Sequence, residues 1–200
     1  MYNEPIAQNI NNMIPMKKIT LLVLSALSPF SLFAAESLEV DYAHSEVHFS
    51  VSHMVVTKTK GEFNEFKAEV MVEGDNLTSV TATIPVSSID TDNEKRDGHL
   101  KSADFFNAEK YPNITFESTE VKDGKLVGNL TILETTKEVE LDLEFLGPVV
   151  GPWGKTRYGL NLTGKIDRTE FGLTWNKALE AGGVVVGDEV TISISVELTK

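Results

Sequence analysis

The chain has 200 residues, 41% hydrophobic and 24% charged, a composition that excludes both a disordered tail and a bundle of membrane-spanning helices. Aspartate and glutamate number 30 against 18 lysines and arginines, and the resulting net charge of -12 would be repelled by a phosphate backbone, so nucleic-acid binding is not expected. There is no cysteine, which excludes disulfide bonds, thiolate catalysis and cysteine-ligated metal centres.

The N-terminal segment predicts an export signal. A short basic stretch at 16–18 precedes an apolar run over 19–33, and small residues follow from Ala34. This order is typical of a secretory signal peptide, and the run is shorter than the ~20 residues that a transmembrane helix needs. We therefore predict that 1–34 is an N-terminal extension with a cleaved signal peptide. Residues 35–200 are then a single domain exported to a bacterial periplasm, without a transmembrane segment.

The rest of the chain alternates apolar and polar residues, as β-strands with one buried face do. Strands are expected at 37–42, 46–52, 62–73, 79–86, 113–121, 125–132, 138–145, 157–166 and 189–198. Asp123-Gly124 predicts a two-residue hairpin between two of them. Consecutive amphipathic strands with short turns indicate an antiparallel sandwich or a closed barrel. We favour the barrel, because closure removes exposed edges and no disulfide is available to lock a sandwich.

The alternation stops over 91–108, where charged residues crowd together. Ser102 precedes an acidic and aromatic stretch at 103–106, which predicts a short helix with Ser102 as its N-cap. We expect this segment to be a lid whose phenylalanines close one end of the barrel. Arg96 in this lid either forms an ion pair with a neighbouring aspartate or contacts the polar end of an apolar ligand.

Neither a catalytic constellation nor a metal site is expected. The chain has no Gly-x-Ser-x-Gly elbow and no glycine-rich phosphate loop. His44 and His48 have the spacing of a helical metal pair, but on a strand they would lie roughly 13 Å apart, too far for one ion. His53 shares the parity of the inward residues of its strand. It is either a rim histidine bonded to backbone or a contact for a ligand headgroup.

Several motifs follow one another along the chain: Asp41, His44, Ser45, Phe49 and Gly61, then 88–91 and 96–106, then Tyr111-Pro112, Gly128 and Thr136-Lys137, and finally Asp167-Arg168, Phe171-Gly172 and Gly187-Asp188. The most specific is the run Arg-Asp-x-His-Leu-x-Ser-x-Asp-Phe-Phe at 96–106. In these motifs the chain resembles the YceI-like family of bacterial periplasmic, lipocalin-like proteins. The resemblance covers nearly all of 35–200. It implies an all-β, eight-stranded antiparallel barrel with a short helical lid segment that encloses a polyisoprenoid or an isoprenoid quinone. It also implies a possible homodimer.

The resemblance does not say which side chains hold the ligand. We expect the headgroup to be held near the mouth by His53, Arg96 and His99. We expect the bore to be lined by a set of apolar side chains, for which the alternation supports the first three best: Phe49, Val51, Ile84, Phe63, Phe66, Phe105, Phe106 and Phe116.

The sequence therefore predicts a periplasmic carrier that holds an isoprenoid lipid or quinone in an apolar cavity, with no other cofactor and no enzymatic activity. Two alternatives stay open. One is a stress-linked structural or partner-binding barrel without a ligand. The other is an enzyme that acts on a quinone or a lipid headgroup in the same cavity.

Overall fold

The computed structural model describes residues 34–180 and 182–200, so the predicted extension and signal peptide lie outside the described residues, apart from Ala34. Over the described ranges the chain forms ten strands, one α-helix and two 3₁₀ turns, at Val86–Ser88 and Arg168–Phe171. In chain order the elements are β1 (Ala35–His53), β2 (Thr57–Phe63), β3 (Lys67–Glu73), β4 (Asn76–Pro85), β5 (Ile89–Asp90), α1 (Glu94–Lys101), β6 (Asn113–Lys122), β7 (Lys125–Ile132), β8 (Thr135–Val150), β9 (Thr156–Asp167) and β10 (Val186–Thr199).

The strands close into a barrel of eight positions. The long strand β1 pairs with β2 along its C-terminal half and with β3 along its N-terminal half, so β2 and β3 share one position. β5 pairs with β2 and β4 pairs with β3, so these two share the next position. Every pairing is antiparallel, and the pairing of β10 with β1 closes the sheet. The predicted fold class is therefore confirmed.

The turn between β6 and β7 has the geometry that its sequence predicts. Lys122 pairs with Lys125, and Asp123 and Gly124 between them have φ angles of 52° and 74°. Two successive left-handed residues make a turn whose twist matches that of the flanking strands, and Asp-Gly adopts it at little steric cost. The two-residue hairpin is confirmed.

The helix of the lid lies earlier in the chain than predicted. α1 begins after Asn93, whose side-chain oxygen accepts a hydrogen bond from the backbone N–H of Arg96 at 3.0 Å. Ser102 follows the last residue of the helix, and its hydroxyl donates to the carbonyl of His99 at 2.8 Å. The prediction that Ser102 is the N-cap was wrong, because Asn93 satisfies the first turn and Ser102 caps the other end.

The two ends of the barrel differ. At one end, which we call the lid end, lie the segment 86–112, the β1–β2 hairpin and the loop between β9 and β10. At the opposite end the short hairpins after β3, β6 and β8 lie above a set of fully buried side chains, Val70, Val72, Leu126 and Leu198. The opposite end is therefore filled by the core, and the lid end is covered by chain that is not part of the barrel. No helix within the described part of the chain is long and apolar enough to cross a membrane.

Gly128 on β7 gives a test of how tightly the wall is packed. A Cβ at this position would lie 2.5 Å from Cζ of Phe116 and 2.6 Å from the carbonyl oxygen of Glu117. We expect Gly128→Ala to lower the free energy of unfolding by about 1–3 kcal/mol, the usual cost of overpacking. Urea denaturation measures this change. Gly98→Ala in α1 is the control: a Cβ there meets nothing within 4 Å, and it should raise stability by about 0.5–1 kcal/mol.

Candidate ligand-binding cavity

The barrel encloses an apolar cavity of about 190 Å³. One water molecule needs only ~10–15 Å³ in this measure, so the cavity is far larger than a packing defect. Of the 30 residues that line it, 28 are apolar, and the two exceptions are His48 and Arg168. The imidazole of His48 lies 3.1 Å from the Glu46 carboxylate and 3.4 Å from that of Glu62. A cavity with so few polar partners suits an apolar ligand better than water.

Small side chains keep the middle of the barrel open. Ala68 on β3 lies directly opposite Ala82 on β4, and both line the cavity. Val51 and Ile192 also line it, and they are only partly buried although they lie on inward positions of their strands. The alternation of the strands thus fixes which side chains point inward, and their size decides that the interior is hollow.

Aromatic rings from four segments lie at the lid end of the cavity. Phe49 of β1 lies 5.6 Å from Phe63 of β2, ring centre to ring centre, and Phe63 lies 6.4 Å from Phe106 of the lid. Phe105, next to it, lies 5.1 Å from Trp175 of the β9–β10 loop. These contacts pack the lid against the barrel through ring faces and edges.

A short polar network holds the lid to the end of β5. The buried carboxylate of Asp97 accepts hydrogen bonds from the backbone N–H of Thr91 at 3.0 Å and from its hydroxyl at 2.5 Å. Arg96 donates to the hydroxyl of Thr91 at 2.7 Å and to its carbonyl at 2.6 Å. Within 34–180 and 182–200 Arg96 forms no ion pair with an aspartate, which was one of its two predicted roles. Its guanidinium binds Thr91 instead, which fixes the start of the lid.

The residues predicted for the bore all lie at the cavity. Each of the following lines it: Phe49, Val51, Phe63, Phe66, Ile84, Phe105, Phe106 and Phe116. Their contact with a ligand stays a prediction.

The three polar residues predicted to hold the headgroup do not line the cavity. His53 is half-buried at the end of β1, where it pairs with Thr57 of β2. Arg96 is engaged by Thr91, as described above. Nε2 of His99 lies 3.0 Å from the carboxylate of Asp104, and its ring packs edge-on against Trp175 at 4.9 Å. A headgroup could meet these residues only at the mouth, and their role stays a prediction.

Arg168 is a cavity residue that the alternation does not reveal. It is only 3% exposed, it follows the last residue of β9, and all five of its N–H donors have acceptors. The acceptors are the carbonyl oxygens of Gly187 (2.8 Å), Trp175 (3.1 Å), Val186 (3.3 Å) and Leu173 and the carboxylate of Asp188 (3.4 Å). Burial lowers the pKa of the Arg168 guanidinium, and the carboxylates of Asp188 and Asp167 oppose this shift. Arg168 thus fastens the β9–β10 loop to the start of β10.

Outside the cavity, Asp41, His44 and Glu197 bring three possible metal ligands within 4.8 Å of one another. Nη1 of Arg157 lies 3.1 Å from the Asp41 carboxylate and also pairs with Glu197. The hydrogen bonds from His44 and Arg157 lower the pKa of Asp41. The arginine therefore already supplies the positive charge that a metal ion would bring, and we assign no metal to this cluster.

The fold and the cavity together define a closed antiparallel barrel with an apolar interior, the architecture of the lipocalin-like barrels. The YceI-like domain matches residues 38–198 of the chain. The chain therefore belongs to the YceI-like family, and the resemblance predicted from its motifs is confirmed.

Relatives and solved structures agree with this assignment. The UPF0312 protein SA2479 of Staphylococcus aureus (strain N315) is 44% identical over 164 residues, which cover 80% of this chain and 95% of that protein. The crystal structure of the Campylobacter jejuni YceI protein is 31% identical, with a TM-score of 0.65, and the match covers 74% of this chain and 89% of that one. A polyisoprenoid binding domain from Saccharophagus degradans shares the fold at 14% identity, with a TM-score of 0.58, over 83% of this chain and 98% of that one.

Proposed function

We propose that this protein is a periplasmic binding protein that carries an isoprenoid lipid or an isoprenoid quinone inside its barrel, and that it catalyses no reaction on this ligand. The observation that carries the proposal is the apolar cavity, filled at one end and covered by a lid at the other. Each methylene-sized group of an isoprenoid chain that enters this cavity leaves water, which stabilises the complex by about 0.8 kcal/mol, or ~25 cal/mol per Å² of apolar surface.

The hydrogen bonds of the Arg168 guanidinium favour an isoprenoid ligand over a fatty acid. A bound fatty acid needs a cationic or hydroxyl partner for its carboxylate, because an unpaired buried charge is costly. Arg168 is the one arginine or lysine that lines the cavity in the described ranges, and its five donors are already bound by protein oxygens. The imidazole of His48 already lies beside the carboxylates of Glu46 and Glu62. A long chain with a weakly polar head does not need such a partner. The Saccharophagus degradans domain, described as polyisoprenoid-binding, indicates that a barrel of this fold can hold such a chain.

Native mass spectrometry of the gently purified protein tests this proposal. We expect a protein mass with a bound lipid that disappears on organic extraction, and an extract that contains an isoprenoid. A protein that carries no lipid, and that takes up no isoprenoid quinone after extraction, would favour the ligand-free structural barrel instead. Turnover of the added quinone, lost in His53→Ala and His99→Ala while binding persists, would favour the enzyme.

Phe106 gives a test of the lid. Its ring lines the cavity and packs against Phe63. We expect Phe106→Asp to abolish lipid retention, because it places a charge where the chain of the lipid lies, while export changes little. Ala103→Asp is the control, since Ala103 is an exposed residue of the same lid. The two variants are compared by lipid content per protein, and equal lipid in both would contradict the placement of Phe106 against the ligand.

A further inference from the structure

The hairpin between β1 and β2 ends in three consecutive apolar residues. Met54, Val55 and Val56 are 43%, 73% and 84% exposed. The neighbouring β9–β10 loop adds Val184, which is 38% exposed, and the two loops are joined by a hydrogen bond from the N–H of Met54 to the carbonyl of Val185 at 2.8 Å. We call Met54, Val55, Val56 and Val184 the apolar tip.

The backbone of this hairpin is unfavourable for the residues it carries. Met54 and Val55 have φ angles of 51° and 65°, in the left-handed region. A β-branched residue there is strained, and asparagine or glycine would form the turn at lower cost. The chain nevertheless has large apolar side chains at this turn, and they are not buried within it. Strain combined with apolar exposure points to a partner outside the chain.

The apolar tip continues the wall of the cavity. Val51 lies three residues before Met54, Val186 lies two residues after Val184, and both line the cavity. A ligand has to pass this end of the barrel, because the opposite end is filled by fully buried side chains such as Val70 and Leu126. Whatever surface supplies an apolar ligand therefore meets the apolar tip first.

The charges beside the tip suit a phospholipid surface. Lys58 on β2 and Lys177 on the β9–β10 loop are exposed, and within 34–180 and 182–200 neither forms an ion pair. The ring of Trp175 lies 5.8 Å from the ammonium group of Lys177. Glu180 is exposed on the same loop. Exposed apolar side chains with lysines on the adjoining chain match the layers of a bilayer, in which phosphates lie above the acyl chains.

We propose that the apolar tip is the surface with which this barrel contacts a phospholipid bilayer, so that the ligand passes between bilayer and cavity at the lid end. The nature of the ligand rests on the proposed function above. The contact with the bilayer rests on the tip alone.

Co-sedimentation with vesicles of phosphatidylethanolamine and phosphatidylglycerol tests the contact. We expect Val55→Asp/Val56→Asp to weaken vesicle binding by at least about tenfold, because two side chains that enter the bilayer become charged. The control is Val150→Asp/Trp153→Asp on the β8–β9 hairpin at the opposite end, where these residues are 72% and 84% exposed. It should bind as the natural protein does. Loss of binding in this control alone, or a natural protein that binds no vesicles, would overturn the proposal.

The double variant Met54→Asn/Val55→Gly tests whether vesicle binding can be weakened without a loss of stability. These residues suit the left-handed turn, so this variant should be at least as stable as the natural protein while it binds vesicles more weakly. Undiminished vesicle binding in this variant counts against the tip.

Uptake of an isoprenoid quinone from ethanol by the lipid-extracted protein tests the proposed function independently of the bilayer contact. If Val55→Asp/Val56→Asp takes up the quinone normally but binds no vesicles, both proposals stand. If the natural protein takes up quinone but binds no vesicles, only the contact fails. If it binds vesicles but takes up no quinone, the proposed function fails and the contact stands.

Discussion

Ala82→Phe is expected to remove the bound lipid while leaving the barrel folded and at least as stable. Ala82 lines the cavity opposite Ala68, and the whole cavity measures about 190 Å³. A cavity of about 150 Å³ holds one benzene molecule, so a phenyl ring at position 82 fits and leaves little room for a chain. In a filled interior the same substitution would cost about 1–3 kcal/mol. The sign of the stability change therefore distinguishes a hollow barrel from a filled one.

The measurements are lipid content by mass spectrometry and urea denaturation of the extracted proteins. Thr81→Phe is the matched control, because Thr81 is the neighbouring residue of the same strand and is exposed. It should keep the lipid of the natural protein. Two outcomes would contradict the hollow barrel: an Ala82→Phe variant that keeps its lipid, and one that loses stability by the amount typical of overpacking.

Arg168→Met is expected to be the most destabilising of these substitutions, by about 2–4 kcal/mol. The methionine fills a similar volume but leaves the carbonyl oxygens of Gly187, Leu173 and Trp175 without this donor. The carbonyl of Val186 keeps the side-chain amide of Asn176, and the carboxylate of Asp188 is 57% exposed. Buried acceptors that lose their partner cost about 1–3 kcal/mol each, less where water can reach them. We also expect the β9–β10 loop to open, because Arg168 fastens both of its ends.

Urea denaturation measures the loss, and hydrogen exchange over 173–180 reports the loop. Arg168→Lys should restore only part of the stability, since an ammonium group has three donors and lacks the planar fork. The control is Arg157→Met, because the side chain of Arg157 is 28% exposed, against 4% for Arg168, and its partners Asp41 and Glu197 are 22% and 30% exposed. We expect a smaller loss there, of about 1 kcal/mol. An Arg168→Met variant as stable as Arg157→Met, with unchanged exchange, would show that the buried arginine does not hold the loop.

The strands were predictable because their alternation has a period of two. The alternation at 138–145 lies within β8 (Thr135–Val150), and the inward parity of Phe49 and Val51 matches their place on the cavity wall. The break in the predicted strand 62–73 was not predictable. It arises because β2 and β3 pair with different halves of β1, a long-range arrangement that leaves no local pattern.

The lid was less predictable than the barrel, because its residues follow no period. Asn93 and Ser102 are both good caps, and the sequence does not show which of them starts the helix. The contacts of Arg96 with Thr91 and of His99 with Trp175 likewise depend on the tertiary packing of the lid. Arg168 had two signals, its place in the motif Asp167-Arg168 and its position directly after a long amphipathic strand, but neither says that its side chain lines the cavity.

A crystal structure of the protein with its co-purified lipid would show whether the barrel holds an isoprenoid chain. We predict continuous density for a branched chain inside the barrel, in contact with Ala82 and with the rings of Phe49 and Phe106. A barrel interior filled by protein side chains, with the lipid on the outer surface or absent, would contradict the account.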